Sequence, residues 1–126
     1  MEEKKFEKDL LTESVIGCCF QVHNELDPGF LEKVYHNALI HSLKMKELNF
    51  ETEKNFDVFF INQKVGIFRC DLLIEKKLIL EIKSVTGFMP VLFRNQVLSY
   101  LKASGIKTGL LVNFGNKSFE IKRLSM

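Results

Sequence analysis

The sequence predicts an α/β protein with a mixed central sheet flanked by helices, and its elements follow the order ααβββαβ(β). Three observations support this class: two N-terminal segments with apolar residues at helical spacing, three consecutive β-rich runs, and an apolar strand after a third helix. A meander followed by a helix and a returning strand is typical of a sheet that carries helices on its faces. The 126 residues, 46% of them hydrophobic, predict one domain over residues 1–126, with residues 1–9 expected to fray.

The predicted helices follow from apolar spacing and from the residues at their ends. The first helix has Thr12 as its expected N-cap, and the segment Asp27-Pro28-Gly29 breaks it. The third helix carries Pro90 in its first turn and ends at Gly105. The predicted helices span Leu10–Glu25, Leu31–Lys46 and Pro90–Ala103.

The predicted strands are runs of β-branched and aromatic residues that short polar turns separate. Asn62-Gln63 and Lys76-Lys77 are expected to be the turns that make the first three strands an antiparallel meander. The last strand is expected at an edge of the sheet. The predicted strands are Phe56–Ile61 within a β-rich stretch from Phe50, then Val65–Glu75, Leu78–Val85, Thr108–Phe114 and Ser118–Leu124.

Charge, hydropathy and cysteine content narrow the possible classes of protein. The net charge of +2 is only a weak signal for a polyanionic partner. No apolar run approaches the ~20 residues that cross a bilayer, and the charged N-terminus lacks a signal-peptide pattern, so a cytoplasmic protein without a membrane partner is expected. Cys18, Cys19 and Cys70 form no C-x-x-C pair, which disfavours structural zinc and predicts three small buried hydrophobes.

Charged residues interrupt two of the predicted apolar strands. Glu81 and Lys83 are two residues apart in one strand and therefore face the same side of the sheet. Asp71 lies in the preceding strand, and a turn at Lys76-Lys77 pairs it with residue 81 or 82. Two carboxylates on adjacent strands suit Mg²⁺ or Mn²⁺. From these strands alone, the alternative is a salt-bridge network on a solvated sheet face.

The E-x-K triplet occurs several times and does not identify a site by itself. Glu120 and Lys122 form the most serious competitor of Glu81 and Lys83, because they also lie in a predicted strand. No acidic hairpin strand precedes them, whereas the groups of a catalytic site must converge in space. The sequence therefore favours Glu81 and Lys83.

A helical motif completes the pattern. Gly29, Glu32 and Tyr35 match the signature G-x-x-E-x-x-Y, and the chain resembles the GxxExxY protein family of the PD-(D/E)xK nuclease superfamily over roughly Leu11–Leu124. The resemblance implies a restriction-endonuclease-like core and a nuclease that uses Mg²⁺ (or Mn²⁺) to hydrolyse phosphodiester bonds of nucleic acid, with DNA favoured over RNA. The alternatives are a catalytically silent module that binds nucleic acid or a protein partner, and a structural or oligomeric scaffold.

The resemblance also implies roles for individual residues. The implied metal ligands are Glu32, often through water, Asp71, Glu81 and the backbone carbonyl of Ile82. The resemblance implies that Lys83 positions the attacking water and that Gln96 and Tyr100 form a Q-x-x-x-Y element, which their i, i+4 spacing places on one helix face. Cys70 stands where the superfamily carries proline, at a position that does not touch the metal.

Tyr35 and the histidines have more than one interpretation. Tyr35, one helical turn from Glu32, is predicted either to brace the site or contact substrate, or to pack in the core. His23, His36 and His41 are expected in surface or capping roles, because His36 and His41 lack the i, i+4 spacing of a ligand pair.

Two phenylalanines and the last strand could contact a nucleic acid or a second copy of the chain. Phe88 and Phe93 are expected in the core, with base stacking as the alternative. A homodimer that pairs through the edge strand near Phe119 is a further expectation.

Overall fold

A computed structural model describes residues 9–126, and its elements confirm the predicted class and order. The predicted fraying of residues 1–9 lies outside the described residues except at Asp9. The helices are α1 (Leu10–Leu26), α2 (Glu32–Met45) and α3 (Val91–Ser104), and the strands are β1 (Phe50–Phe60), β2 (Gln63–Ile74), β3 (Leu78–Lys83), β4 (Thr108–Asn113) and β5 (Glu120–Ser125).

The five strands form one mixed sheet in the order β1-β2-β3-β4-β5. Strands β1, β2 and β3 are the predicted antiparallel meander. Strand β4 runs parallel to β3, because α3 carries the chain back across the sheet between them. Strand β5 pairs antiparallel with β4 at the edge, as expected.

Helices cover both faces of the sheet, and β3 contributes to both cores. Leu78, Leu80 and Ile82 pack with residues of α1 and α2, whereas Ile79 packs with residues of α3. This alternation is that of a buried strand, and it places Glu81 on the same face as Ile79. None of the helices in residues 9–126 is long and apolar enough to cross a membrane.

The predicted N-cap of the first helix is wrong. Asp9 is the N-cap, and its carboxylate accepts hydrogen bonds from the Thr12 amide at 3.1 Å and from the Thr12 hydroxyl at 2.7 Å. Thr12 is instead the third residue of α1, where its buried hydroxyl bonds back to the cap.

The two hairpin turns begin one residue earlier than predicted, and the second one still contains the predicted Lys76-Lys77. Ile61 and Asn62 connect β1 and β2 with φ values of 47° and 63°, the left-handed conformation of a tight two-residue turn. Glu75, Lys76 and Lys77 connect β2 and β3, and Ile74 pairs with Leu78. With this second turn, the register of β2 and β3 places Asp71 opposite residue 81, one of the two partners that the sequence predicts.

Candidate active site

The candidate site lies where β2 and β3 separate. Their backbone ladder ends at the pair Leu72 and Leu80. Beyond it, the Asp71 amide donates to Oε1 of Glu81 at 2.9 Å, and the Ile82 amide donates to Oδ2 of Asp71 at 2.7 Å. Each carboxylate thus bonds the backbone of the opposite strand where a ladder bond would otherwise form.

The second oxygen of each carboxylate remains free for a ligand. Oδ1 of Asp71 and Oε2 of Glu81 accept no hydrogen bond within residues 9–126, and neither is a fully buried atom. Two carboxylate oxygens without a hydrogen bond, on neighbouring strands beside the backbone of Ile82, are donors that fit a hard divalent cation. Water completes the shell of such ions in most proteins.

The two carboxyl groups have raised pKa values. Burial raises the pKa of Glu81 from 4.5 to about 8, and the neighbouring Asp71 charge adds to the effect. Burial also raises the pKa of Asp71, while the Ile82 amide and the charges of His36 and Lys83 oppose the rise. Desolvation and mutual repulsion both favour binding of a cation between these groups.

Lys83 is close to the carboxylates but forms no ion pair with them. Its charge lowers the pKa of both acids, although burial dominates each shift. Its Nζ atom lies 4.3 Å from the centre of the Phe93 ring, a cation–π contact. The salt bridges within residues 9–126 all join other residues, so the network proposed as an alternative is not present among them.

Glu32 reaches the site from α2. It is the exposed first residue of that helix and lines a cleft of about 260 Å³ with Asp71, Ile82 and His36. Its charge contributes to the raised pKa of Glu81, after burial and the larger effect of Asp71. No three His, Cys, Asp or Glu side chains in the described part of the chain form a preformed metal cage. The arrangement therefore corresponds to a site with two carboxylates, and Glu32 stays a predicted ligand through water.

The helix α3 brings Tyr100 toward the carboxylates from the other side. Its ring stacks on Phe68 at 4.3 Å, and burial raises the pKa of its hydroxyl, with further increases from Glu81 and Asp71. Gln96 is half-buried one helical turn earlier on α3. The Q-x-x-x-Y face thus lies toward the sheet, and contacts of these two residues with substrate stay predictions.

Tyr35 does not face the cleft. Its side chain is fully buried and stacks on Phe114 at 4.7 Å. Its hydroxyl donates to the Asp27 carbonyl at 2.6 Å and accepts from the Phe30 amide at 3.2 Å. A side chain in this position cannot contact substrate, so the structure corrects that interpretation and supports core packing that braces the loop before Glu32.

The predicted surface or capping roles are wrong for two of the histidines. His23 is buried and its Nε2 atom lies 2.8 Å from the Asn116 carbonyl. His36 is also buried and lines the cleft, while His41 is exposed as expected. The sequence contains a signal for His36, because Glu32 and His36 have the i, i+4 spacing that places both side chains on one helix face.

The competing E-x-K pair lies elsewhere. Glu120 and Lys122 are on the edge strand β5, which pairs only with β4 among the described strands. The carboxylate of Glu120 accepts a hydrogen bond from Nδ2 of the Asn113 side chain at 3.3 Å, and Lys122 is exposed. No acid on an adjacent strand accompanies them in residues 9–126.

The cysteines and Phe88 complete the comparison with the sequence. All three cysteines are buried, as predicted, and burial raises the pKa of Cys70 to about 12, which excludes a reactive thiolate there.

The predicted core position of Phe88 is wrong, because its side chain is 95% exposed in the loop before α3. Phe93 is half-buried beneath Lys83.

The raised pKa of Glu81 predicts how stability depends on pH without metal. Since the folded protein holds a proton on Glu81 up to about pH 8 and the unfolded chain releases it near 4.5, the folded state binds more protons between these values. The free energy of unfolding in EDTA should therefore fall as pH rises from about 4.5 to 8, measured by urea unfolding. Glu81→Gln should flatten this slope; an equally steep slope in the variant would contradict the assignment.

A mixed sheet with helices on both faces, and two acids and a lysine on its inner strands, defines the restriction-endonuclease-like class of α/β proteins. The model of the PD-(D/E)XK nuclease superfamily matches residues 9–124, and the chain belongs to that superfamily. The narrower GxxExxY assignment stays a prediction.

The comparisons with individual proteins support the fold alone. The crystal structure of SSO0001 aligns with a TM-score of 0.60 and 24% identity, over 74% of this chain and 48% of that one. The chain thus spans about half the length of that protein. No curated protein matches this chain.

Proposed function

We propose that this chain is a metal-dependent nuclease that hydrolyses phosphodiester bonds, with DNA as substrate ahead of RNA. The observation that carries the proposal is the convergence of Asp71 and Glu81 where β2 and β3 separate, each with one oxygen free. Membership of a nuclease superfamily supports the same reaction class. The preference for DNA follows from the resemblance and not from a contact in the cleft.

The residues have distinct tasks in this proposal. Asp71, Glu81 and the Ile82 carbonyl would hold Mg²⁺ or Mn²⁺, and Glu32 would reach the ion through water. Such an ion would supply the activation of a water molecule and the stabilisation of added negative charge on the phosphate. Lys83 is half-exposed and forms no ion pair in the described residues, so its ammonium group is available to a substrate phosphate. In this proposal it positions the attacking water and stabilises charge on that phosphate. Hydrolysis by water needs no covalent intermediate with the protein.

The test compares Asp71→Asn with Asp57→Asn. Both substitutions remove one negative charge with little change of shape, and Asp57 lies on β1 in an exposed pair with Lys64. Asp71→Asn should abolish calorimetric binding of Mn²⁺ and cleavage of DNA, while Asp57→Asn should leave both unchanged. Matched single- and double-stranded DNA and RNA substrates test the nucleic-acid preference.

Two results would overturn the proposal in different ways. Metal and DNA binding without cleavage of any of these substrates would establish the catalytically silent module. Absence of Mg²⁺ and Mn²⁺ binding in the wild type would favour the structural scaffold.

A further inference from the structure

His36, a residue that lines the cleft, has a buried ring nitrogen without a hydrogen-bond partner among residues 9–126. His36 lies on α2 one helical turn after Glu32, and its side chain is 8% exposed. Its Nε2 atom is the one buried side-chain nitrogen or oxygen within residues 9–126 that makes no hydrogen bond. Since more than about 90% of buried polar groups in proteins are hydrogen-bonded, this exception requires an explanation.

The surroundings of His36 indicate what could satisfy that nitrogen. Asp71, Glu32 and Ile82, three of the four predicted metal-binding residues, also line this cleft. His36 is close enough to Asp71 to lower the pKa of that carboxyl, although burial dominates the shift and raises it. No hydrogen bond between His36 and Asp71 is present in the described residues, so the two groups are neighbours that do not satisfy one another.

With His36, the groups that could bind a metal here include a nitrogen as well as carboxylate oxygens. An imidazole nitrogen beside carboxylate oxygens suits Mn²⁺ and later transition metals, whereas Mg²⁺ prefers oxygen ligands and water. A buried nitrogen without a hydrogen bond destabilises the fold, and a bound metal would remove that penalty. No three His, Cys, Asp or Glu side chains within residues 9–126 form a metal cage as they stand, so coordination by His36 requires its imidazole and the carboxylates to rearrange around the ion.

We propose that Nε2 of His36 is a ligand of the divalent metal at Asp71, and that this nitrogen makes the site select Mn²⁺ over Mg²⁺. The inference rests on the proposed function for the existence of a metal at Asp71. It goes beyond that function by adding a ligand from the middle of α2 and by naming the preferred ion.

Pulsed electron paramagnetic resonance on the Mn²⁺-loaded full chain tests this directly. The wild type should show the nitrogen coupling of a metal-bound imidazole, and labelling the histidines with ¹⁵N should change that coupling. His36→Gln should abolish it, while His41→Gln, on the exposed face of the same helix, should retain it. By calorimetry, His36→Gln should weaken Mn²⁺ binding by about 10–100-fold and Mg²⁺ binding by about threefold or less.

The outcomes separate this inference from the proposed function. Mn²⁺ binding that Asp71→Asn abolishes, with no nitrogen coupling in the wild type, would overturn the role of His36 and leave the proposed function standing. Absence of Mn²⁺ binding would overturn both. If His36→Gln fails to fold, the isotope experiment on the wild type still decides, because it needs no substitution.

Discussion

Replacing Lys83 by methionine should lower the rate of DNA cleavage by about 10²–10³-fold, the loss typical when one charged or hydrogen-bonding group is removed from a transition state. The Mn²⁺ affinity should change little, because Lys83 contributes no metal ligand. Methionine retains most of the length of the side chain and can still pack on Phe93, which lies under Nζ at 4.3 Å. Single-turnover cleavage and calorimetry on the same preparation measure the two quantities separately.

Lys122→Met is the matched control for this prediction. Lys122 belongs to the competing E-x-K triplet, and it is exposed on β5, two strands from β3 in the sheet. Its replacement should leave cleavage at the wild-type rate. Full activity in Lys83→Met, or equal losses in the two variants, would remove Lys83 from the assigned role.

The position of Asp71 opposite Glu81 was predictable, because strand alternation and a short turn determine register. The turn begins one residue earlier than predicted, at Glu75, and ends at Lys77 as predicted, and this three-residue turn brings the two acids together. What the sequence did not reveal is that the ladder ends at Leu72 and Leu80 and that carboxylates replace the next backbone bonds. That exchange depends on how the strands separate, which no local pattern encodes.

The helix α2 shows where sequence reasoning about the site failed. The signature singles out Glu32, which lines the cleft and stays a predicted ligand. Tyr35 and His36 are adjacent residues whose environments depend on how the helix packs against the sheet. Tyr35 is buried with both hydrogen bonds of its hydroxyl satisfied, whereas His36 is buried with Nε2 unsatisfied. Apolar spacing predicts which side of a helix is buried, but not which polar atoms find partners there.

Asn113 is another residue that the sequence analysis did not single out, although it is a polar residue in the apolar run that forms β4. It is fully buried and pairs with Lys83 in the parallel ladder. Its Oδ1 accepts from the Val85 amide at 2.9 Å and the Gly115 amide at 3.0 Å, and its Nδ2 donates to the Val85 carbonyl at 3.0 Å. One side chain thus holds the chain that leaves β3 directly after Lys83.

Asn113→Ala should lower the free energy of unfolding by about 2–4 kcal/mol, because three part-buried backbone groups of Val85 and Gly115 lose their partner at about 1 kcal/mol each and alanine leaves a small void. Urea unfolding should show this as a lower midpoint with an unchanged slope. Asn55→Ala is the control, since Asn55 is exposed on β1 and bonds only Arg69 at 3.3 Å; its effect should stay within about 0.5 kcal/mol. Equal midpoints for the two variants would mean that water replaces Asn113 at Val85. The segment after Lys83 would then be held by the other contacts, which are the Ser84 bond to Phe30 and the two bonds between Gly87 and Asn116.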